Sequence, residues 1–353
     1  MGGPSINFGG GIQSFFTALL GNPAFPLVLV GVSVLIVLLA AVFLLRRYLR
    51  SQKALPQLFQ KVMLMVTVPK EAQLRDDEGQ REKPVAELLV QAEAWFAALG
   101  GMRAQRGLGT YLAGRYDTFS LEIVVHRGLI EFYVTVPRYL REYLEQHIHA
   151  QYPSANIEEV GSYNLFGPAS HVAATALTFR KPFIFPIRTY RQLDVDPLNS
   201  LTNVLSKIGE GESAAIQYVV RSAKAEWHNW GARVSREMHQ GKTLKEAMGH
   251  RGFTGFLMEL VRTFVPKKKT EDEYGRIRPL SPREEEIAKS IEEKTSKAGL
   301  DANVRLVVSA SSPQRAEDYL RNIVDSFSQY TLYEYGNGFQ RRNPWRKDAL
   351  LMD

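Results

Sequence analysis

The chain has no cysteine among its 353 residues. That absence excludes disulfides, thiolate metal centres and a cysteine nucleophile, and it fixes no redox compartment. Charge is absent too from the first 45 residues, which hold no Asp, Glu, Lys, Arg or His. A further absence is of one glycine. Arg236–Thr243 reads REMHQGKT and ends like a phosphate-cradling loop. The pattern G-x-x-x-x-G-K-[ST] needs glycine where Arg236 stands, so that successive N–H groups converge on the phosphates. The surrounding pattern predicts a helix over 225–240, so Gly241 reads as its C-terminal cap and Lys242 as a complement to the helix dipole.

Of what is present, Lys and Arg (44) outnumber Asp and Glu (37), a net charge of +7 that favours anionic partners, lipid headgroups or nucleic acid. Phe25–Leu45 (FPLVLVGVSVLIVLLAAVFLL) is an apolar run of the length, about 20 residues, that crosses a bilayer core. RRYLRSQK follows at once, with Arg46, Arg47, Arg50 and Lys53 as topology anchors that also favour anionic membrane lipid. The expectation is a single-pass cell-membrane protein: an outside tail over 1–24, a transmembrane helix over 25–45, a basic linker over 46–60, and the remainder cytoplasmic.

Beyond the linker, VMLMVTV (Val62–Val68) reads as a buried strand and PVAELLVQAEAWFAAL, opened by Pro84, as a helix. FSLEIVVH and LIEFYVTV are strands joined by a tight turn at Arg127-Gly128. A helix after Pro137 and a strand at Ala155–Val160 complete a βαββαβ path. The pattern then recurs. IFPIRTY (Ile184–Tyr190) is expected as the first strand, after an extended connection over His171–Phe179. Asp196 and Pro197 open a helix, and strands follow at Ala214–Arg221 and Ala302–Ala310. Ser312 and Pro313 open the last helix and TLYEY (331–335) closes. The expected fold class is α+β: a transmembrane helix, then two ferredoxin-like units over 61–165 and 166–340. The second carries a mostly helical insertion over 222–300, and a basic tail occupies 341–353.

Candidate chemistry is sparse, and no catalytic, cofactor-binding or metal-ligating residue is expected. His147 and His149 lie two apart on a helix and so face different ways. Asp196 is explained as a helix cap, while Asp194, Glu210 and Glu212 lack a cleft that would fix their separation. Trp227 and Trp230, three apart, can face one neighbour and are offered as a docking surface, with core packing as the plainer role. Lys267, Lys268 and Lys269, together with Arg341, Arg342, Arg346 and Lys347, form basic clusters that suit DNA or lipid, or solvated surface charge.

Asp196–Val220 (DPLNSLTNVLSKIGEGESAAIQYVV) and Ser290–Tyr330, with the early VTVPKE strand, carry a family resemblance. They resemble the N-terminal, membrane-anchored region of proteins related to type IV secretion and conjugative DNA-transfer ATPases. In those proteins the region precedes a HerA–FtsK-type motor. No motor sequence is present here, so the resemblance implies a non-catalytic assembly and docking module. It would work with an ATPase on another chain or downstream, with DNA and a second copy of the chain as further partners. The alternatives are a membrane-bound, hydrolase-like enzyme or a scaffold unrelated to DNA.

Overall fold

A computed structural model of the chain describes residues 25–58, 60–68, 85–167, 170–193, 196–249 and 278–342. In chain order its first elements are α1 (Phe25–Leu58), β1 (Lys61–Thr67), α2 (Val85–Gly101), α3 (Leu108–Ala113), β2 (Phe119–His126) and β3 (Leu129–Pro137). Then come α4 (Arg141–Gln151), β4 (Asn156–Val160), β5 (His171–Phe179), α5 (Pro197–Leu205), β6 (Ser213–Ser222) and α6 (Glu226–His239). The last are α7 (Leu244–Met248), α8 (Pro282–Thr295), β7 (Leu300–Ala310), α9 (Pro313–Ser326) and β8 (Phe339–Arg342).

The chain divides into two units, 1–59 with 105–116, and 60–104 with 117–353. In the first, α1 and α3 pack together, and the Arg46 guanidinium lies 4.7 Å from the centre of the Tyr111 ring. Gly107 and Gly114, at φ +117° and +96°, bracket the short α3.

The second unit is built on one eight-stranded sheet in the order β4-β1-β3-β2-β6-β7-β5-β8, with every pairing antiparallel. The expectation of two ferredoxin-like units behind a membrane helix is therefore corrected. The βαββαβ path is followed twice, but β2 pairs with β6 from Phe119↔Val220 to Val125↔Ala214, which fuses both halves into a single sheet. A strand edge left unpaired would expose a row of N–H and C=O groups, and this pairing satisfies two of them at once.

Two strand positions also move. β5 is His171–Phe179, whereas Ile184 and Phe185 leave the sheet to fill another core. The closing strand is Phe339–Arg342 rather than 331–335. Asn337 explains that shift: its Oδ1 accepts from the N–H groups of Lys181 and Gly338, and its Nδ2 donates to the carbonyls of Lys181 and Pro182. The bonds hold 331–338 as a loop before the chain re-enters beside β5.

Strand alternation sends one set of side chains to the helices. Val62, Leu64, Phe119, Val134, Val136 and Val220 pack with Leu99 of α2 and Leu144 and Ile148 of α4. Ile123, Ile216, Leu306 and Val308 pack with Leu201 and Leu205 of α5 and Leu320 and Ile323 of α9. Such burial is worth about 25 cal/mol per Å² of apolar surface and dominates the fold. The insertion has its own core of Trp230, Val234, Met238, Ala247, Ile287, Ala288 and Ile291, closed by Ile184 and Phe185. The β2–β3 turn places Arg127 and Gly128 at φ +52° and +75°, the two left-handed residues that the tightest hairpins use.

Among the described residues, no helix is long and apolar enough to cross a membrane. The expected span over 25–45 and the single-pass localisation are corrected accordingly. The helix does not stop there but continues through Arg46 and Arg47 to Leu58.

Candidate functional site

The sheet face turned away from the helices is polar at its centre. Strand register places Tyr133, Glu122, Gln217 and Arg305 side by side across β3, β2, β6 and β7. Ala176 and then Arg342 continue the row on β5 and β8. Around it lies a small apolar cluster of Val124, Ala215, Val307, Met63 and Met65. The segment after β4 crosses this face and adds Tyr163 and Leu165 to the same cluster.

Glu122 is only 5% exposed, and a buried carboxylate survives only where it is hydrogen-bonded. Its Oε1 accepts from Ser120 Oγ and, at 3.3 Å, from Thr135 Oγ1. Its Oε2 accepts from the Tyr163 hydroxyl and, at 3.3 Å, from Gln217 Nε2. Burial, then the Glu122 charge and hydrogen bond, push the Tyr163 phenol above its ordinary range. The neighbouring Tyr133 phenol, 5.2 Å away ring to ring, is raised to about 12 by burial and by its hydrogen bond to Glu131. At the start of β1, Lys61 is pushed down by burial first and by the positive charge of Arg305 second, against the pull of Glu122.

A second polar centre lies at the mouth of an open recess of about 530 Å³ between the turn before β6 and the start of α9. There Glu212 accepts from the N–H and hydroxyl of Ser311, at 3.0 and 2.8 Å, and from Arg315. Both its oxygens are spent on holding β6 to α9, which is a structural role.

The residues singled out in the sequence scatter. Arg46 stacks on Tyr111, Arg47 is exposed, and Arg50 and Lys53 fall in the same helix. Arg341 pairs with Glu317 at 2.6 Å, whereas Arg342 is exposed at the end of the polar row. Lys267, Lys268, Lys269, Arg346 and Lys347 lie outside the described residues, as does Asp194. Trp230 is 8% exposed and packs edge-on to Phe183 in the insertion core, so it offers no surface for docking. Trp227 closes over Gly299, where an added Cβ would overlap its indole.

In REMHQGKT, Gly241 sits at φ +90° and donates to Met238 O at 2.8 Å, ending α6. Thr243 begins α7, where Thr243 and Glu246 exchange hydrogen bonds in a capping box. Glycine and threonine of the tripeptide are thus two helix caps back to back. His147 Nδ1 donates to Tyr143 O at 2.8 Å. Among the described residues no group of three or more His, Cys, Asp or Glu is placed to hold a metal. Sequence reasoning passed over Glu122, Lys61, Tyr163 and Arg305. The available signal was a charged residue between apolar neighbours in two separate strands, Glu122 in β2 and Arg305 in β7.

This is a one-sided antiparallel sheet with a buried carboxylate at the centre of its barer face. The chain belongs to the family described as Domain of unknown function (DUF8128), which matches residues 100–352. Comparison with curated proteins gave no match. Among solved structures, the chain is similar to CrmK, a flavoenzyme of caerulomycin biosynthesis, at 10% identity and a TM-score of 0.32, over 76% of this chain and 41% of that one. It is similar also to the glycopeptide hexose oxidase DBV29, at 13% and 0.30 over 77% and 41%. A third is aclacinomycin oxidoreductase, at 9% and 0.31 over 76% and 41%. The chain thus spans about two fifths of the length of these structures. By name these are a flavoenzyme, an oxidase and an oxidoreductase; the expectation of a non-enzyme and the secretion and conjugation vocabulary find no match among them. Likeness at this level transfers no cofactor, substrate or residue role.

Proposed function

We propose that the chain is a docking module that presents the barer face of its sheet to a motor protein carried on another chain. The observation that supports this reading is the sidedness of the sheet. Within the second unit, helices α2, α4, α5 and α9 gather on one face, and among its described residues the crossing segment with Tyr163 and Leu165 lies on the other. A sheet covered on one side by helices and left partly bare on the other keeps area for a partner. The kind of partner comes from the resemblance carried by Asp196–Val220 and Ser290–Tyr330, stretches that form α5 with β6, and part of α8 with β7 and α9. That partner is an ATPase of a translocation machine, supplied in trans.

Photo-crosslinking in the native cell tests the reading. A photoreactive residue at Val172 or Asn303, both exposed on the barer face, is expected to capture a chain bearing G-x-x-x-x-G-K-[ST]. The same probe at Asn203, exposed on α5, is the control. Capture only from Asn203, or only of a chain without that motif, overturns the proposal.

A further inference from the structure

The polar row that crosses the barer face ends in opposite charges at the two edges of the sheet. Strand register carries it from Glu158 on β4, by way of Met65, Glu122 and Ala176, to Arg342 on β8. The next row, on the helix-covered face, starts at Glu159 and ends by the same pairings at Arg341. β4 (NIEEV) thus has two acids and no base, and β8 (FQRR) two bases and no acid. Among the described residues, no strand pairs with the outer side of either one. Such an edge offers its N–H and C=O groups to any strand whose charge fits.

Part of this charge is met within the chain. Glu159 pairs with Arg141 and, at 3.9 Å, with Arg138, while Arg341 pairs with Glu317 at 2.6 Å. Glu158 and Arg342 are exposed, and among the described residues neither has an ion-pair partner. Glu158 accepts only from the neutral Asn156 amide, at 2.7 Å. Two β4 edges laid together would bring glutamates together, and two β8 edges arginines. Like charges across a strand pair destabilise it, so each edge rejects its own kind and accepts the other. Strand direction agrees. All neighbours in the eight-stranded sheet are antiparallel, so β4 and β8 run opposite ways, and β4 of a second copy beside β8 keeps the alternation. One register then sets Glu158 opposite Arg342 and Glu159 opposite Arg341 together.

We propose that a second copy of this chain docks its β4 on β8 and continues the sheet, in the register Glu158↔Arg342, Glu159↔Arg341 and Val160↔Gln340. The contact uses a different surface on each copy, so it leaves one β4 and one β8 edge free at the two ends of the assembly. It stands independently of the motor reading, because it needs only this chain and uses the edges of the sheet rather than its barer face.

The chain has no cysteine, so introduced thiols report the contact alone. Full chains carrying Val160→Cys are mixed with full chains carrying Gln340→Cys under mild oxidation at low salt. Facing residues of an antiparallel pair have Cα atoms about 4.5–5.5 Å apart, within reach of a disulfide. A linked heterodimer is expected from the mixture, and no linked product from either chain by itself. Adding Glu158→Arg to the first chain is expected to lower the yield about fivefold, and adding Arg342→Glu to the second to restore it, because the pair is again of opposite sign. Should either reversal fail to fold, by circular dichroism, raising the salt must lower the yield of the unreversed mixture. No heterodimer, equal linking of each chain to itself, or a yield indifferent to both charge reversal and salt overturns the proposal. A failed crosslink to a motor would leave this result untouched.

Discussion

Arg315 donates to both oxygens of Glu212, Nε to Oε1 at 2.9 Å and Nη2 to Oε2 at 2.7 Å. The pair joins residues 103 apart and ties the turn before β6 to the first turn of α9. Glu212 is buried with only 6% of its side chain exposed, whereas Arg315 keeps 52% in solvent. The acid is therefore the partner that depends on the bond.

Glu212→Gln is expected to lower stability by about 2 kcal/mol at neutral pH, because it removes a charge-assisted pair while sparing the volume. The Arg315 hydrogen bond, with those from Ser311, holds the Glu212 carboxyl well below the usual carboxylate range. A depressed folded value means that this stability is present above the unfolded pKa, about 4.3, and is lost as pH falls toward the folded one. Urea unfolding of both proteins at pH 7 and pH 3 checks this. The gap between the midpoints must narrow at pH 3, and a gap independent of pH would show that the charge is irrelevant.

Gly231 lies where α6 meets α8, and a Cβ added there would overlap Thr295 Cγ2. Gly231→Ala is expected to cost about 1–3 kcal/mol by overpacking the insertion core, since packed interiors give little. Thr295→Ser deletes the offending methyl but keeps the hydroxyl that donates to Ile291 O at 2.8 Å. The double variant should recover most of the loss, a coupling that thermal unfolding of the four proteins measures directly. Additive losses would mean the helices separate for another reason.

Much of the second unit was legible because local chemistry and tertiary position agree. Asp196, Ser281 and Ser312 each cap a helix whose first position is proline, and each side chain accepts the hydrogen bond expected of a cap. β5 was not legible: HVAATALTF is rich in alanine and lacks the bulk of a typical strand, yet it pairs on both sides, with β7 and β8. IFPIRTY has the strand composition, but its Pro186 has no N–H to give a ladder, and Pro186 O instead accepts from Asn337 N at 2.7 Å. The candidate site was hidden for a different reason. In FSLEIVVH the glutamate falls at an alternate position and reads as the solvent side of a half-buried strand. Its burial comes from Tyr163, 41 residues away, and from Gln217, 95 away, which no local pattern records.

Tyr163 is the hinge of that hidden arrangement. Its hydroxyl donates to Glu122 Oε2 and accepts from Gln217 Nε2 at 3.3 Å, so one side chain joins the crossing segment to two strands of the sheet. Tyr163→Phe keeps the ring that packs 5.2 Å from Tyr133 and removes only the hydroxyl. Glu122, still buried, then lacks one of its four donors, a loss expected to cost about 2 kcal/mol because the acceptor is a charged group. The loss should be local in its dynamics. Backbone N–H groups of residues 161–167 are expected to exchange with deuterium faster, while those of β2 and β6, held by ladder bonds on both sides, keep their protection. Equal acceleration across the whole sheet would mean the hydroxyl supports global stability alone. Unchanged exchange at 161–167 would mean the segment is fixed by Leu165 and its apolar neighbours, with the Glu122 contact incidental.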